Sequence, residues 1–185
     1  VLGLTGSNAA GKGEVAERLR RRGFALHSLS DIVREEAAAR GLSAERENLI
    51  RVGNELRRLG GPGVLAERIV PRLGRRDVVD SIRNPSEVEV LRRLERFVLL
   101  GVVAPIELRF ERARARARAG DPETLARFRE REEEENTTDP HAQRLAATLA
   151  LADHVLSNRG SLEQLEREVE RVLALVESGA PSDAG

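Results

Sequence analysis

The stretch TGSNAAGKGE, residues 5–14, constrains this chain more than any other. It joins a short apolar run, VLGLT at 1–5, to a pattern in which Val15, Ala16 and Leu19 share one helical face. Gly6 and Gly11 are separated by four residues, and Lys12 follows. A strand that turns into a helix through such a loop relies on glycines to accept positive φ. The loop then aims several backbone N–H groups at one point, where the helix N-terminus adds its partial positive charge. That arrangement suits phosphate oxygens. Lys12 is also the only lysine, every other one of the 31 basic residues being arginine. A slim ammonium on a flexible stem enters where a planar guanidinium fork does not fit.

The rest of the chain alternates short apolar runs with longer amphipathic ones, the pattern of a parallel sheet covered by helices. Strands are expected at VLGLT (1–5), FALHS (24–28), VVD (78–80), FVLLGVV (97–103) and HVLS (154–157). Helix starts are expected at Asn84-Pro85-Ser86-Glu87, Asp121-Pro122, Asp139-Pro140 and at Ser161 with Gln164. Between Ser30 and Leu73 lie three helical patterns, broken at Gly41 and at Gly60-Gly61-Pro62-Gly63. A single α/β domain is expected over 1–177, with a helical flap at about 30–73. The small polar tail at 178–185 is expected to be disordered.

Composition narrows the function classes. Acidic and basic residues balance at 31 each, so no net field favours a nucleic acid polymer or an anionic membrane. Four phenylalanines with no tryptophan or tyrosine weaken any reading based on stacking single-stranded nucleic acid. Cysteine is absent, which excludes thiol chemistry and disulfides, and no apolar stretch reaches the roughly 18 residues of a membrane span. With no signal peptide visible, a cytoplasmic location is the expectation.

Four further segments carry candidate chemistry. In SLSDIVREE, Ser28 and Asp31 can cap a helix that presents Arg34. In VVDSIRN, Asp80 ends a buried strand and faces the crevice at the carboxyl edge of the sheet, with Arg83 three residues on. In RVGNELRR, Gly53 interrupts a helical pattern, and Arg51 and Asn54 are candidates for lining a pocket. In PIELRFERARARARAG, Ile106, Phe110, Ala113 and Ala117 form one helical stripe. Arg109, Arg112 and Arg116 lie on one flank of that stripe, Arg114 and Arg118 on the other. Arg127 and Arg131 follow in a second helix, and the run Glu132 to Glu135 reads as a solvated face. The three histidines, His27, His141 and His154, read as structural.

With Gly13 after Lys12, where a hydroxyl residue usually holds Mg²⁺, the loop resembles that of adenylate kinases and related nucleoside monophosphate kinases. The Asp80–Arg83 segment is similar to their Asp-Gly-Phe-Pro-Arg, without its glycine, aromatic and proline and with the arginine one residue early. Glu14 stands where those kinases usually have threonine. The segment DHVLSNRGS, 153–161, is similar to one that passes beside the donor base in dephospho-coenzyme A kinase and deoxynucleotide kinases.

The resemblance implies a three-layer α/β/α P-loop kinase fold, with a five-stranded parallel sheet of order 2-3-1-4-5, an acceptor flap and a small lid at about 112–136. It implies ATP and Mg²⁺ as cofactors and a small-molecule nucleotide as acceptor. Gly6, Asn8, Ala9, Ala10, Gly11, Lys12, Gly13, Glu14 and Asn158 would hold the donor. Asp31, Arg34, Arg51, Asn54, Arg83 and Arg127 would hold the acceptor. Lys12, Asp80, Arg83, Arg112 and Arg116 would act in transfer, Asp80 holding Mg²⁺ through water. Dephospho-coenzyme A kinase, another small-molecule kinase and a nucleotide-sensing module with weak catalysis stay open as alternatives.

Overall fold

The computed structural model describes residues 1–116 and 122–178. Residues 117–121, including Ala117, Arg118 and the Asp121 of an expected helix start, and the tail beyond Ser178 lie outside the described residues. The strands are β1 (Leu2–Thr5), β2 (Ala25–Ser28), β3 (Asp77–Asp80), β4 (Val98–Val103) and β5 (His154–Ser157). They pair in parallel in the order β2-β3-β1-β4-β5, each within a residue of its expected bounds. The helices are α1 (Lys12–Arg21), α2 (Leu29–Ala39), α3 (Arg46–Gly60), α4 (Val64–Ile69), α5 (Pro85–Leu91), α6 (Ile106–Arg116), α7 (Leu125–Glu135), α8 (Leu145–Leu149) and α9 (Leu162–Ser178).

The middle residues of the central strands are apolar because both faces are covered. Alternate residues divide between two cores. Leu2, Leu4, Val78, Leu100, Val102 and Leu156 pack under Val15 and Leu19 of α1 and Leu165, Val169 and Val172 of α9. Val79 and Leu99 face the opposite way, against Ile32, Leu56, Leu65 and Leu91 of α2 to α5. Each fully buried leucine of this kind contributes about 1.5–3 kcal/mol of transfer free energy.

Local chemistry sets the breaks. Gly41, at φ 68°, ends α2 with its N–H on Ala38 O at 3.0 Å and that of Leu42 on Ala37 O at 2.9 Å, so the orphan carbonyls of the last turn are satisfied. Asn84 and Glu87 form the expected capping box of α5, and Ser161 and Gln164 reciprocate at α9. Asp139-Pro140 departs from expectation: it opens a turn rather than a helix, and α8 begins only at Leu145. Asn84 Nδ2 donates to both Pro140 O (2.7 Å) and Ala142 O (2.9 Å), holding this turn against the N-terminal end of α5. Among the described residues no helix is long and apolar enough to cross a membrane.

Candidate functional site

Three positions of the β1–α1 loop take positive φ: Gly6 at 139°, Ala9 at 58° and Gly11 at 106°. This curls the backbone into a nest. A Cβ on Gly6 would strike the Val102 carbonyl of β4, and one on Gly11 would strike the Asn158 side chain, so both glycines are required by close approach as well as by φ. Ala9 holds a left-handed conformation that costs an alanine about 1–2 kcal/mol. Lys12 Nζ donates to Gly6 O (2.6 Å) and Ser7 O (3.0 Å), spanning the loop it follows.

Around the loop lies a cleft of about 1130 Å³ at the carboxyl edge of the sheet, the usual ligand position in open α/β folds. Asn8, Ala9, Gly11, Lys12, Gly13 and Glu14 border it; Gly6 and Ala10 are buried beneath and shape the loop. Asp80 and Arg83 enter from the end of β3, Arg112 and Arg116 from α6, and Arg34 from α2. The strand ends are tied together by Thr5 Oγ1, which donates to Ile82 O at 2.9 Å.

Burial pushes the Lys12 ammonium down to about 8, with Arg83 adding to the effect and Asp80 opposing it; Arg109 and Arg116 also lower it. The unfolded lysine, with its ordinary value near 10.5, keeps its proton to higher pH. Lys12 therefore lowers stability below pH 8, and that penalty is lifted as pH rises from about 8 toward 10.5. A polyphosphate beside the ammonium would draw the value back up. Nucleotide affinity is thus expected to fall above about pH 8, with proton uptake on binding there. Calorimetry in buffers of different ionisation enthalpy checks both.

Asp80 Oδ1 is the one buried side-chain oxygen or nitrogen among the described residues without a hydrogen-bond partner. A carboxylate oxygen left open beside an ammonium fits a water of a hydrated Mg²⁺. Gly13 offers no hydroxyl for direct coordination. Arg83 Nη1 donates to Gln143 Oε1 at 2.8 Å and lies 3.9 Å from Glu135 Oε2, and burial pulls its guanidinium below the ordinary arginine value.

Several expected residues are used differently. Asn158 is buried with both polar side-chain atoms engaged: Nδ2 donates to Ala10 O at 2.8 Å, and Oδ1 accepts from Arg112 Nη2 at 3.1 Å. It clamps the loop rather than offering its amide to a base. Arg127 stands in solvent, 74% exposed and paired with Glu130, because Phe128 turns the inward face of α7 toward Phe110, with ring centroids 5.8 Å apart. Arg51 is exposed on Asn48, and Asn54 Oδ1 lies 3.5 Å from Arg57 Nη1; neither is among the residues lining the cleft, which α3 meets through Arg46, Leu49, Ile50, Gly53 and Arg57. Asp31 is exposed and paired with Arg34 at 2.7 Å.

The acidic run also departs from its reading as a solvated face. Glu132 accepts from Ser7 Oγ (2.6 Å) and Arg109 Nη1 (2.7 Å). Glu135 accepts from Arg46 Nε (2.8 Å) and Nη2 (2.5 Å). The spacing 128, 132, 135 is one helical stripe, and its single aromatic marked the inward side. Arg109 is nearly buried, with Nε on Ala104 O at 3.0 Å, and supports the loop through Asn8 O.

Sheet order, the strand–loop–lysine–helix junction and the cleft above it define a P-loop kinase fold, and solved structures agree. Shikimate kinase from Bacteroides thetaiotaomicron superposes with a TM-score of 0.61 at 14% identity, over 95% of this chain and 97% of its own. A Thermus thermophilus protein reaches 0.56 at 27% identity, over 94% and 95%. The chain belongs to the UPF0200 family. It is 34% identical to the family's protein in Pyrococcus horikoshii, over 98% of this chain and 100% of that one. It is 38% identical to that of Hyperthermus butylicus, over 94% and 91%. No protein-family model matches the chain.

Proposed function

We propose that this protein is an ATP-dependent phosphotransferase that moves the γ-phosphoryl of ATP to a nucleoside or deoxynucleoside monophosphate. The observation that carries this reading is the pairing of the Lys12 nest with the unpartnered Asp80 oxygen at one cleft. Loop amides and Lys12 hold the polyphosphate, and Arg112 and Arg116 offset the charge that spreads over the transferring oxygens. Asp80 would hold Mg²⁺ through water, and the ion would supply charge neutralisation to the polyphosphate. Arg34 and Arg83 meet the acceptor's anion.

A second reading, transfer to the hydroxyl of another small anionic molecule that carries no base, is favoured by the absence of any aromatic side chain among the residues lining the cleft. Phe24 and Phe97 pack against the two cores, and Phe110 and Phe128 against each other, so none is placed to stack on an acceptor base.

ADP release from Mg-ATP, measured across the common nucleoside monophosphates, dephospho-coenzyme A and small hydroxy acids, tests both readings. Stimulation by a monophosphate is the expected result. ATP binding without stimulation by any acceptor would replace transfer with nucleotide sensing. With an active acceptor in hand, Arg34→Ala is expected to raise its KM severalfold and to leave the KM for ATP near the wild-type value.

A further inference from the structure

We propose that Arg57 is the buried receptor for the acceptor's anionic group, positioned by Glu87 and reached through the gap left by Gly53. This inference rests on the phosphotransferase reading above. Arg57 is 3% exposed, yet it forms part of the cleft wall. Glu87, which is fully buried, takes Arg57 Nε at 3.0 Å and Nη2 at 2.7 Å on one oxygen. Its other oxygen takes the backbone N–H groups of Arg83 (2.8 Å) and Asn84 (3.1 Å). The carboxylate is therefore saturated, and the guanidinium is fixed in one orientation.

Arg57 Nη1 is left with Asn54 Oδ1 at 3.5 Å, the outer limit of a hydrogen bond. It lies beside Gly53, where an added Cβ would come within 3.5 Å of it and of Val33. A glycine inside a helix costs about 1 kcal/mol relative to alanine, and here it keeps open the space in front of an under-used donor. A buried ion pair is seldom more stabilising than apolar side chains of the same volume. The capping box accounts for Glu87, and Arg57 offsets its buried charge while also bordering the cleft. Arg34, in an exposed pair with Asp31, remains available to the acceptor's anion beside the buried Arg57, whereas Arg46 is held by Glu135. A fixed guanidinium edge with free N–H groups selects a phosphate or carboxylate oxygen.

The test uses the full chain saturated with Mg-ADP, titrated calorimetrically with inorganic phosphate, the nucleoside monophosphates, and gluconate and shikimate as carboxylates. At least one probe is expected to bind on top of ADP, and its arm of the panel separates phosphate from carboxylate. Arg57→Met and Gly53→Ala should each weaken that probe about tenfold or more, with ADP affinity unchanged. Arg57→Lys should recover part of the loss. Because Gly53→Ala retains the ion pair and favours the helix, its melting temperature should equal or exceed wild type, which separates lost recognition from lost folding. Wild-type binding by either of the first two variants, or no probe binding to wild type over ADP, would overturn the proposal. Failure of Mg-ADP itself to bind would instead refute the underlying phosphotransferase reading.

Discussion

Lys12→Met is expected to lower phosphoryl transfer by roughly 10²–10³-fold or more, the cost of removing one preorganised donor from a developing anionic charge. The ammonium already reaches Gly6 O and Ser7 O, so a phosphate bound in the nest would draw it only a short distance. Methionine keeps the length and apolar stem of the side chain and discards the charge. Burial holds the ammonium at about 8, so the folded protein carries this cation at a cost. Stability at neutral pH should therefore be maintained or raised in the variant, and the loss should fall on kcat. Stopped-time ADP release combined with thermal melting measures both. A variant that transfers phosphate at the wild-type rate would remove Lys12 from the chemistry.

The second large effect is on folding. Glu87→Ala is expected to destabilise the protein by about 3–5 kcal/mol, because it leaves the Arg57 guanidinium buried without a counter-charge. The same change strips the N–H groups of Arg83 and Asn84 of their acceptor. For a chain of this size that corresponds to a fall in melting temperature of roughly 10 °C, or a clear shift of the urea midpoint at unchanged slope. Glu87→Gln keeps an acceptor oxygen and should cost less. A loss below about 1 kcal/mol for the alanine variant would show that water or a nearby carboxylate reaches Arg57, contrary to its burial.

What was legible in the sequence follows how local the cause is. The nest was readable because Gly6 and Gly11 stand at fixed offsets from Lys12 in a strand-to-helix junction, and those φ values are properties of a few consecutive residues. The α5 capping box and the Gly41 stop were readable for the same reason. Asp80 was readable as the last residue of a buried strand, since strand ends of this sheet open on the cleft. On α6, Arg112 and Arg116 were placed correctly on the cleft side because Ala113 marks the buried face.

Helix azimuth was less accessible. On α3 the sequence reading named Arg51 and Asn54, whereas Arg57, which it did not single out, lies on the side turned to the cleft. Val52 and Leu56 dock into the core and rotate the helix so that Arg46, Gly53 and Arg57 face inward. On α7 the contact of Phe128 with Phe110 sends Arg127 to solvent and brings Glu132 and Glu135 onto the loop and Arg46.

By itself, then, the sequence determined the α/β alternation, the five strands, the α5 and α9 caps, the Gly41 stop and the loop around Lys12, since each depends on periodicity or dihedral preference over a short span. Only the tertiary structure decided which arginines face the cleft and which carboxylates hold them. Arg57 and Glu87 stand 30 residues apart and Ser7 and Glu132 stand 125 apart, and each pairing exists only once the packed layers bring them within hydrogen-bond reach.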